Sequence, residues 1–307
     1  MRIGLSVNPF AGGRPATIDE LVDQVARIAD QGFAYASFAN IFGIDALTTI
    51  AVAGRSVPDV ELATAVVPVY TRHPVAMAQQ ALTTQAAIND RLTLGIGLSH
   101  QRVVETVWGL SFNQPVQYMQ EYLAILQPLL HGQPVSFVGK RFKSEAPALT
   151  IPAQPPSVVL AALGERMLVL AGEQTDGTAL WMVGAKTLAE HVTPIITRAA
   201  QAADRRPPRI IVGLPICVTD DVAAARARAA RNFAMYGQLP SYRAMLDREG
   251  AEGPADVALI GPEPEIERQL TEIEQAGGNE FNASIFGSAD EQRRTLEFLK
   301  SRVTNVR

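Results

Sequence analysis

Eight short apolar segments, each followed by a stretch with helical spacing, constrain the fold of this 307-residue chain more than any other feature. The segments are Arg2–Val7, Tyr35–Asn40, Glu61–Val67, Arg91–Leu98, Ser157–Gly164, Gly177–Gly184, Arg209–Val218 and Phe281–Gly287. The third, fourth, fifth and seventh are apolar almost throughout, as parallel strands covered on both faces are. Between the first two, Ile18, Leu21, Val22, Val25, Ile28 and Ala29 recur at steps of three and four, which puts them on one helical face. Thr17 is placed to cap that helix and Gly32 to stop it. Asp45 is placed to cap the next helix, and Pro74 to open one that runs to Asn89. Helices are also predicted over Pro115–Leu130, Glu165–Gln174, Lys186–Ala203 and Glu263–Ala276, with a last one closing the chain.

Two α/β folds fit this rhythm: a doubly wound open sheet and a (β/α)8 TIM barrel. The count of eight and the absence of a linker favour the barrel, as a single domain 1–307. The dinucleotide fingerprint is missing, because His100 stands where "GIGLSH" would need its third glycine. One departure from the rhythm is "PVSFVGKRF", Pro134–Phe142, which reads as strand, Gly-Lys turn and strand. With the proline-rich stretch after it, it marks an insertion at approximately 132–156.

Composition narrows the functional classes. Hydrophobic residues are 47% of the chain and charged residues 19%, with a net charge of −4 and no long basic run, so nucleic acid is not an expected partner. Arg205, Arg206 and Arg209 sit among prolines and read as a solvated loop. No apolar run approaches membrane-span length, and the first residues read as a strand rather than a secretory leader, so a cytoplasmic protein without a membrane partner is expected. The one cysteine, Cys217, allows no intrachain disulfide and reads as a core residue. The four histidines show no metal-ligand spacing, so no metal site is predicted.

A barrel carries its active site at the C-terminal ends of its strands. Here those ends are apolar, with no base beside a nucleophile and no paired carboxylates. Such ends suit a large, flat ligand whose own atoms do the chemistry. Gly164 opens a helix whose free N–H groups would attract an anion; an ordinary strand-to-helix turn is the plainer alternative. His100 follows the fourth strand, where it could transfer a proton, hydrogen-bond a cofactor ring, or serve as a bonded loop residue. His73, at a helix start, reads as structural, while His131 and His191 fall on helix ends or surfaces. Trp181 reads as core or pocket wall. In "TAVVPVYTRHP" the third strand runs into Pro68, which cannot donate to a sheet ladder.

Taken together and in order, "TAVVPVYTRHP", "RLTLGIGLSHQ", "EYLAILQPLLHGQPVSFVGKRF" and "LAGEQTDGTALWMVG" resemble the bacterial luciferase-like monooxygenase superfamily, and within it the branch that uses the deazaflavin coenzyme F420. The resemblance covers nearly the whole chain. It implies a TIM barrel holding a deazaflavin or flavin ring at the strand ends, with a bulge and a non-prolyl cis peptide, here Ala65–Val66, behind the ring. By the same resemblance Asn40, Ala65, Val66, Gly97, Ser99 and His100 are ring-side positions. Ala162, Leu163 and Gly164 match the segment whose N–H groups receive the coenzyme phosphate. Some relatives carry a catalytic histidine where this chain has Ile41 and a glutamate where it has His100. A sugar-phosphate dehydrogenase mechanism is therefore disfavoured, and His100 is the candidate for proton transfer.

The activity implied is hydride transfer between coenzyme F420 and an apolar or carbonyl-bearing small molecule. Two alternatives stay open. One is an FMN-dependent monooxygenase that uses oxygen and reduced flavin from a partner reductase. The other is a barrel that binds a deazaflavin or another ligand without turnover. Relatives also pair as homodimers through the helices beside the first three strands.

Overall fold

Parallel pairing joins strands that the chain separates by helices. The computed structural model describes residues 1–11 and 13–304, so the last residues of the expected domain, 305–307, lie outside it. The eight principal strands are β1 (Arg2–Ser6), β2 (Tyr35–Phe38), β3 (Glu61–Thr64), β4 (Leu92–Gly97), β5 (Ser157–Leu160), β6 (Gly177–Trp181), β7 (Arg209–Val218) and β8 (Glu280–Ile285). The helices between and after them include α1 (Ile18–Asp30), α2 (Ala46–Ser56), α3 (Pro74–Ala87), α4 (Pro115–Leu130), α5 (Glu165–Gln174), α6 (Thr193–Ala202), α7 (Val222–Asn232), α8 (Glu263–Gln275) and α9 (Ala289–Thr304). The fold is the (β/α)8 TIM barrel class that the strand–helix rhythm predicts. Among the described residues, no helix is long and apolar enough to cross a membrane.

Contacts gather the chain into two compact units. One comprises Met1–Ser6, Arg27–Ser37 and the residues from Ala162 onward. In it β7 pairs in parallel with β6, from Gly177↔Arg209 to Trp181↔Gly213, and with β8, from Ile211↔Glu280 to Ile216↔Ile285. β8 in turn pairs with β1, and β1 with β2. Val212, Leu214, Ile216, Phe281 and Ala283 are buried, each large side chain contributing about 1.5–3 kcal/mol by leaving water. One charge sits among them. Glu280, 3% exposed, takes a two-pronged contact from Arg209, Nε to Oε1 at 2.6 Å and an Nη to Oε2 at 3.0 Å. Arg209 is therefore no solvated loop residue; it is the first residue of β7, its guanidinium held by a buried carboxylate. Arg205 and Arg206 do remain exposed.

The other unit comprises Val7–Ala26 and Phe38–Ala161. Here β4 pairs in parallel with β3 and with β5. Helix starts follow the capping residues. Thr17 Oγ1 accepts from Glu20 N, and the Glu20 carboxylate accepts from Thr17 N at 2.8 Å, which makes a capping box. Asp45 accepts from Thr48 N at 2.9 Å, and the His73 ring accepts from Val75 N, so His73 is structural.

The inserted hairpin differs from its sequence expectation. Val135–Val138 pairs antiparallel with Lys143–Ala146, so the turn spans residues 139–142 and the second strand starts later. The cause is Glu121 on α4, 7% exposed. Its carboxylate accepts from the backbone N–H of Lys140 (3.1 Å), Arg141 (2.7 Å) and Phe142 (3.1 Å), which removes those groups from the ladder. Gly139 leaves the room, since a Cβ there would lie 2.3 Å from Glu121 Oε2. Burial pushes the Glu121 carboxyl up, but the N–H groups of Arg141, Phe142 and Lys140, with Gln117, outweigh it and hold the carboxyl below its ordinary range. A depressed carboxyl stabilises the fold fully above the unfolded value, about pH 4.3, and loses that contribution as pH falls through the folded value. Amides 140–142 are therefore expected to lose hydrogen-exchange protection on acidification before the barrel strands do. Glu121→Gln is expected to open the same amides at neutral pH; unchanged protection in that variant would rule the account out.

Candidate active site

The C-terminal end of β3 is where the sheet departs from regularity. Ala63 pairs with Thr93, but Val67 pairs with Ile96, so four steps along one strand oppose three along the other. This is a bulge, and it shortens the strand expected to reach Val67 to Glu61–Thr64, with pairing resumed at Val67–Pro68. The Ala65–Val66 peptide bond within it is cis. Ala65 N donates to Phe38 O at 2.8 Å, Thr64 Oγ1 donates to Gly95 O at 2.7 Å, and Val69 N donates to Gly97 O at 3.0 Å. Ala65 and Val66 are half-buried in an otherwise buried run.

Two glycines on β4 make the bulge possible. Gly95 and Gly97 are two residues apart and so face the same side of the sheet. A Cβ on Gly95 would lie 2.0 Å from the Thr64 carbonyl oxygen. One on Gly97 would lie 2.8 Å from Val66 Cγ2 and 3.1 Å from Ala161 Cβ. The structure thus places Val66 against Gly97, two of the ring-side positions named from the sequence.

Beyond β4 the chain turns sharply. Ser99 has φ 61, a left-handed conformation that costs a non-glycine residue of the order of 1 kcal/mol or more. His100 follows, half-buried, its carbonyl accepting from Val104 N at 3.0 Å as the π-helical turn Val103–Val107 begins. Burial lowers the pKa of the His100 imidazole, so the ring is neutral at pH 7. Asn40, beyond β2, uses Oδ1 to accept from Ala46 N at 3.0 Å, which turns its NH2 group away from the start of α2. Asp45 there also pairs with Arg72. Ile41 and Phe42, 67% and 65% exposed, give the loop an apolar surface.

In the unit that takes in the residues from Ala162 onward, Ala162 is buried, Leu163 half-buried and Gly164 exposed at the N-cap of α5. No side chain caps this helix. The Gly164 carbonyl accepts from Met167 N and Leu168 N, both at 3.0 Å, so the N–H groups of Gly164, Glu165 and Arg166 precede the first helical bonds. A Cβ on Gly164 would meet nothing within 4 Å. The helical turn beginning at Gly184 contrasts with it. There the Glu249 carboxylate accepts from Lys186 N at 3.1 Å and Thr187 N at 2.7 Å.

His191 corrects its placement on a helix surface. It is 7% exposed, and its Nε2 lies 2.8 Å from Leu163 O. The signal for this was present, because Leu188, His191 and Val192 are spaced as one buried helical face. Trp181 ends β6 and packs edge-on against Phe233 and Tyr236, with centroids 6.2 and 5.7 Å away. The strand stops there, short of the expected Gly184, because Met182 takes φ 57. Burial pushes the Cys217 thiol up to about 11, which suits a core residue rather than a nucleophile. Among the described residues, no group of three or more His, Cys, Asp or Glu side chains could hold a metal ion.

Comparison with known proteins adds to this geometry. A family model described as luciferase-like monooxygenase matches residues 1–299. A protein of Mycobacterium tuberculosis named as a putative coenzyme F420-dependent oxidoreductase is 28% identical over 257 residues, covering 77% of this chain and 72% of its own. An F420-dependent secondary alcohol dehydrogenase, solved with an F420-acetone adduct, has a TM-score of 0.81 at 17% identity, covering 100% of this chain and 99% of its own. The oxygenating constituent of 3,6-diketocamphane monooxygenase from Pseudomonas putida, solved with FMN, has a TM-score of 0.77 at 16% identity, covering 99% and 98%.

Proposed function

Because the chain belongs to the luciferase-like monooxygenase family, we propose that it is an oxidoreductase moving a hydride between coenzyme F420 and an apolar or carbonyl-bearing small molecule. The observation that carries this reading is the Ala65–Val66 step, a small apolar platform turned out of a buried strand and accommodated by Gly95 and Gly97. The donor set fits the cofactor's other end, since uncapped N–H groups at a helix start suit a phosphate. The F420-dependent relative supports the choice of deazaflavin.

When bound, the deazaflavin supplies two-electron hydride chemistry. Asn40, Ala65, Val66, Gly97 and Ser99 would hold the ring, and Ala162, Leu163 and Gly164 the phosphate. His100 takes the proton from a substrate hydroxyl when an alcohol is oxidised, and returns it to the oxygen when a carbonyl is reduced. The neutral ring favours the first role at pH 7. The oxidation rate is therefore expected to rise with pH through the lowered His100 value and level off above the ordinary imidazole range. Carbonyl reduction is expected to fall over the same interval. His100→Gln should flatten both limbs of kcat/KM; a profile left intact by that variant would remove His100 from the mechanism.

The second reading is an FMN-dependent monooxygenase, favoured by the full-length likeness to the FMN-bound structure. Titration of the apoprotein with coenzyme F420 and with FMN, followed by the fluorescence of Trp108 and Trp181, separates the two. Preferential F420 binding and anaerobic turnover are expected. Preference for FMN with oxygen consumption would replace the proposal, and binding of neither would sink both. For carbonyl reduction, and for the FMN reading, a separate reductase would supply reduced cofactor in the cytoplasm; in either case a second copy would dock through α1–α3.

A further inference from the structure

We infer that His191 is a positioning residue for the phosphate-binding turn; this rests on the reading of Ala162–Gly164 as the place where the cofactor phosphate binds. A carbonyl oxygen only accepts, so the His191 Nε2 that lies 2.8 Å from Leu163 O must carry the hydrogen. The peptide unit between Leu163 and Gly164 is planar and trans, so its C=O and N–H point in opposite directions. Holding the oxygen toward His191 therefore turns the Gly164 N–H away from it. No partner within the described residues takes that N–H. The histidine fixes the orientation of the first donor an incoming anion would meet.

The surroundings make this a held contact. His191 lies on the π-helical turn Leu188–Val192, between the fully buried Leu188 and Val192. The residue itself is 7% exposed. π-helical turns concentrate at functional sites, and here the turn carries a buried polar ring whose Nε2 is engaged with the strand-end segment. The helix start at Gly184 is filled by Glu249, while that of α5 has no side-chain cap. A fixed, pre-aimed N–H spends less binding energy on ordering than a turn free to rotate.

The test compares ligands with and without the phosphate, and the pair FMN and riboflavin differs in that group alone. Wild type, His191→Leu and His191→Gln are titrated with coenzyme F420 and with its phosphate-free deazaflavin chromophore, and with FMN and riboflavin in parallel. Loss of one oriented hydrogen bond is expected to weaken phosphate-bearing ligands about 10-fold in His191→Leu, while phosphate-free ligands stay within about 2-fold. His191→Gln, which keeps a donor of similar reach, is expected to recover most of the loss. Equal weakening of both ligand types would assign His191 a merely structural role, and no weakening would remove the role altogether. Either result overturns the inference while wild-type binding stands. Wild type that binds neither F420 nor FMN overturns the functional reading itself, and the inference with it. Thermal melts of each variant identify any that fails to fold, in which case the His191→Gln comparison decides.

Discussion

Gly95→Ala is expected to destabilise the chain by about 3 kcal/mol or more, among the largest effects of any single substitution here. The new methyl would stand 2.0 Å from the Thr64 carbonyl oxygen, and that oxygen belongs to backbone. It cannot move alone, since the Thr64 hydroxyl is bonded to Gly95 O and the neighbouring residues are fixed in the ladder with β4. Gly97→Ala meets a milder obstacle: a Val66 methyl at 2.8 Å, which a rotamer change can relieve at about 1 kcal/mol, and Ala161 Cβ at 3.1 Å, which must give slightly. The two variants should therefore differ in kind. Gly95→Ala lowers the midpoint of urea unfolding strongly. Gly97→Ala lowers the midpoint less and pushes Val66 outward, so part of its loss appears in affinity for the proposed cofactor. Equal midpoints for the two variants would show that the bulge yields as easily as a side chain, and the account of β4 would fail.

Arg209→Leu should cost about 3–5 kcal/mol, because it leaves the Glu280 carboxylate buried without its main partner. Arg2 also reaches Glu280, at 3.3 Å, but from a half-exposed position. Arg2→Ala is accordingly expected to cost less than about 1 kcal/mol. The double variant Arg209→Leu/Glu280→Leu should regain most of the stability, since breaking such a pair costs far more than replacing it with packed apolar groups. Chemical unfolding of the three variants checks the ranking. A double variant no better than Arg209→Leu would mean that the pair holds β7 and β8 together in a way apolar packing cannot replace.

How much of this was legible in the sequence depended on whether the deciding force was local. Pro115–Leu130 and Glu165–Gln174 appear with their expected bounds, because a proline or glycine at the start and steady spacing inside are local signals. Arg209–Val218 was equally plain as an apolar run. Distant partners decided the rest. The second hairpin strand was displaced by Glu121, which lies about twenty residues upstream. Arg209 looked like part of a basic loop until Glu280, 71 residues on, gave it a buried partner. The end of β6 depended on one left-handed residue, Met182, a type that gives no warning of such a turn. Within the candidate site, Gly164 was read from its place at a strand-to-helix turn and the Ala65–Val66 step from the resemblance, whereas His191 needed the fold to bring it to Leu163.

The grip of Glu121 on residues 140–142 has a consequence for how this chain can change. It holds the turn by backbone N–H groups, which every residue except proline supplies, so it makes little demand on the side chains there. Lys140 points to solvent, while Gly139 must stay small to admit the carboxylate. Arg141 and Phe142 are also held by their side chains, on Asn113 O and on the rings of Tyr118 and Tyr122, so position 140 is where the tip of the insertion can drift, or accept a grafted label, while one buried acid on a neighbouring helix keeps its shape.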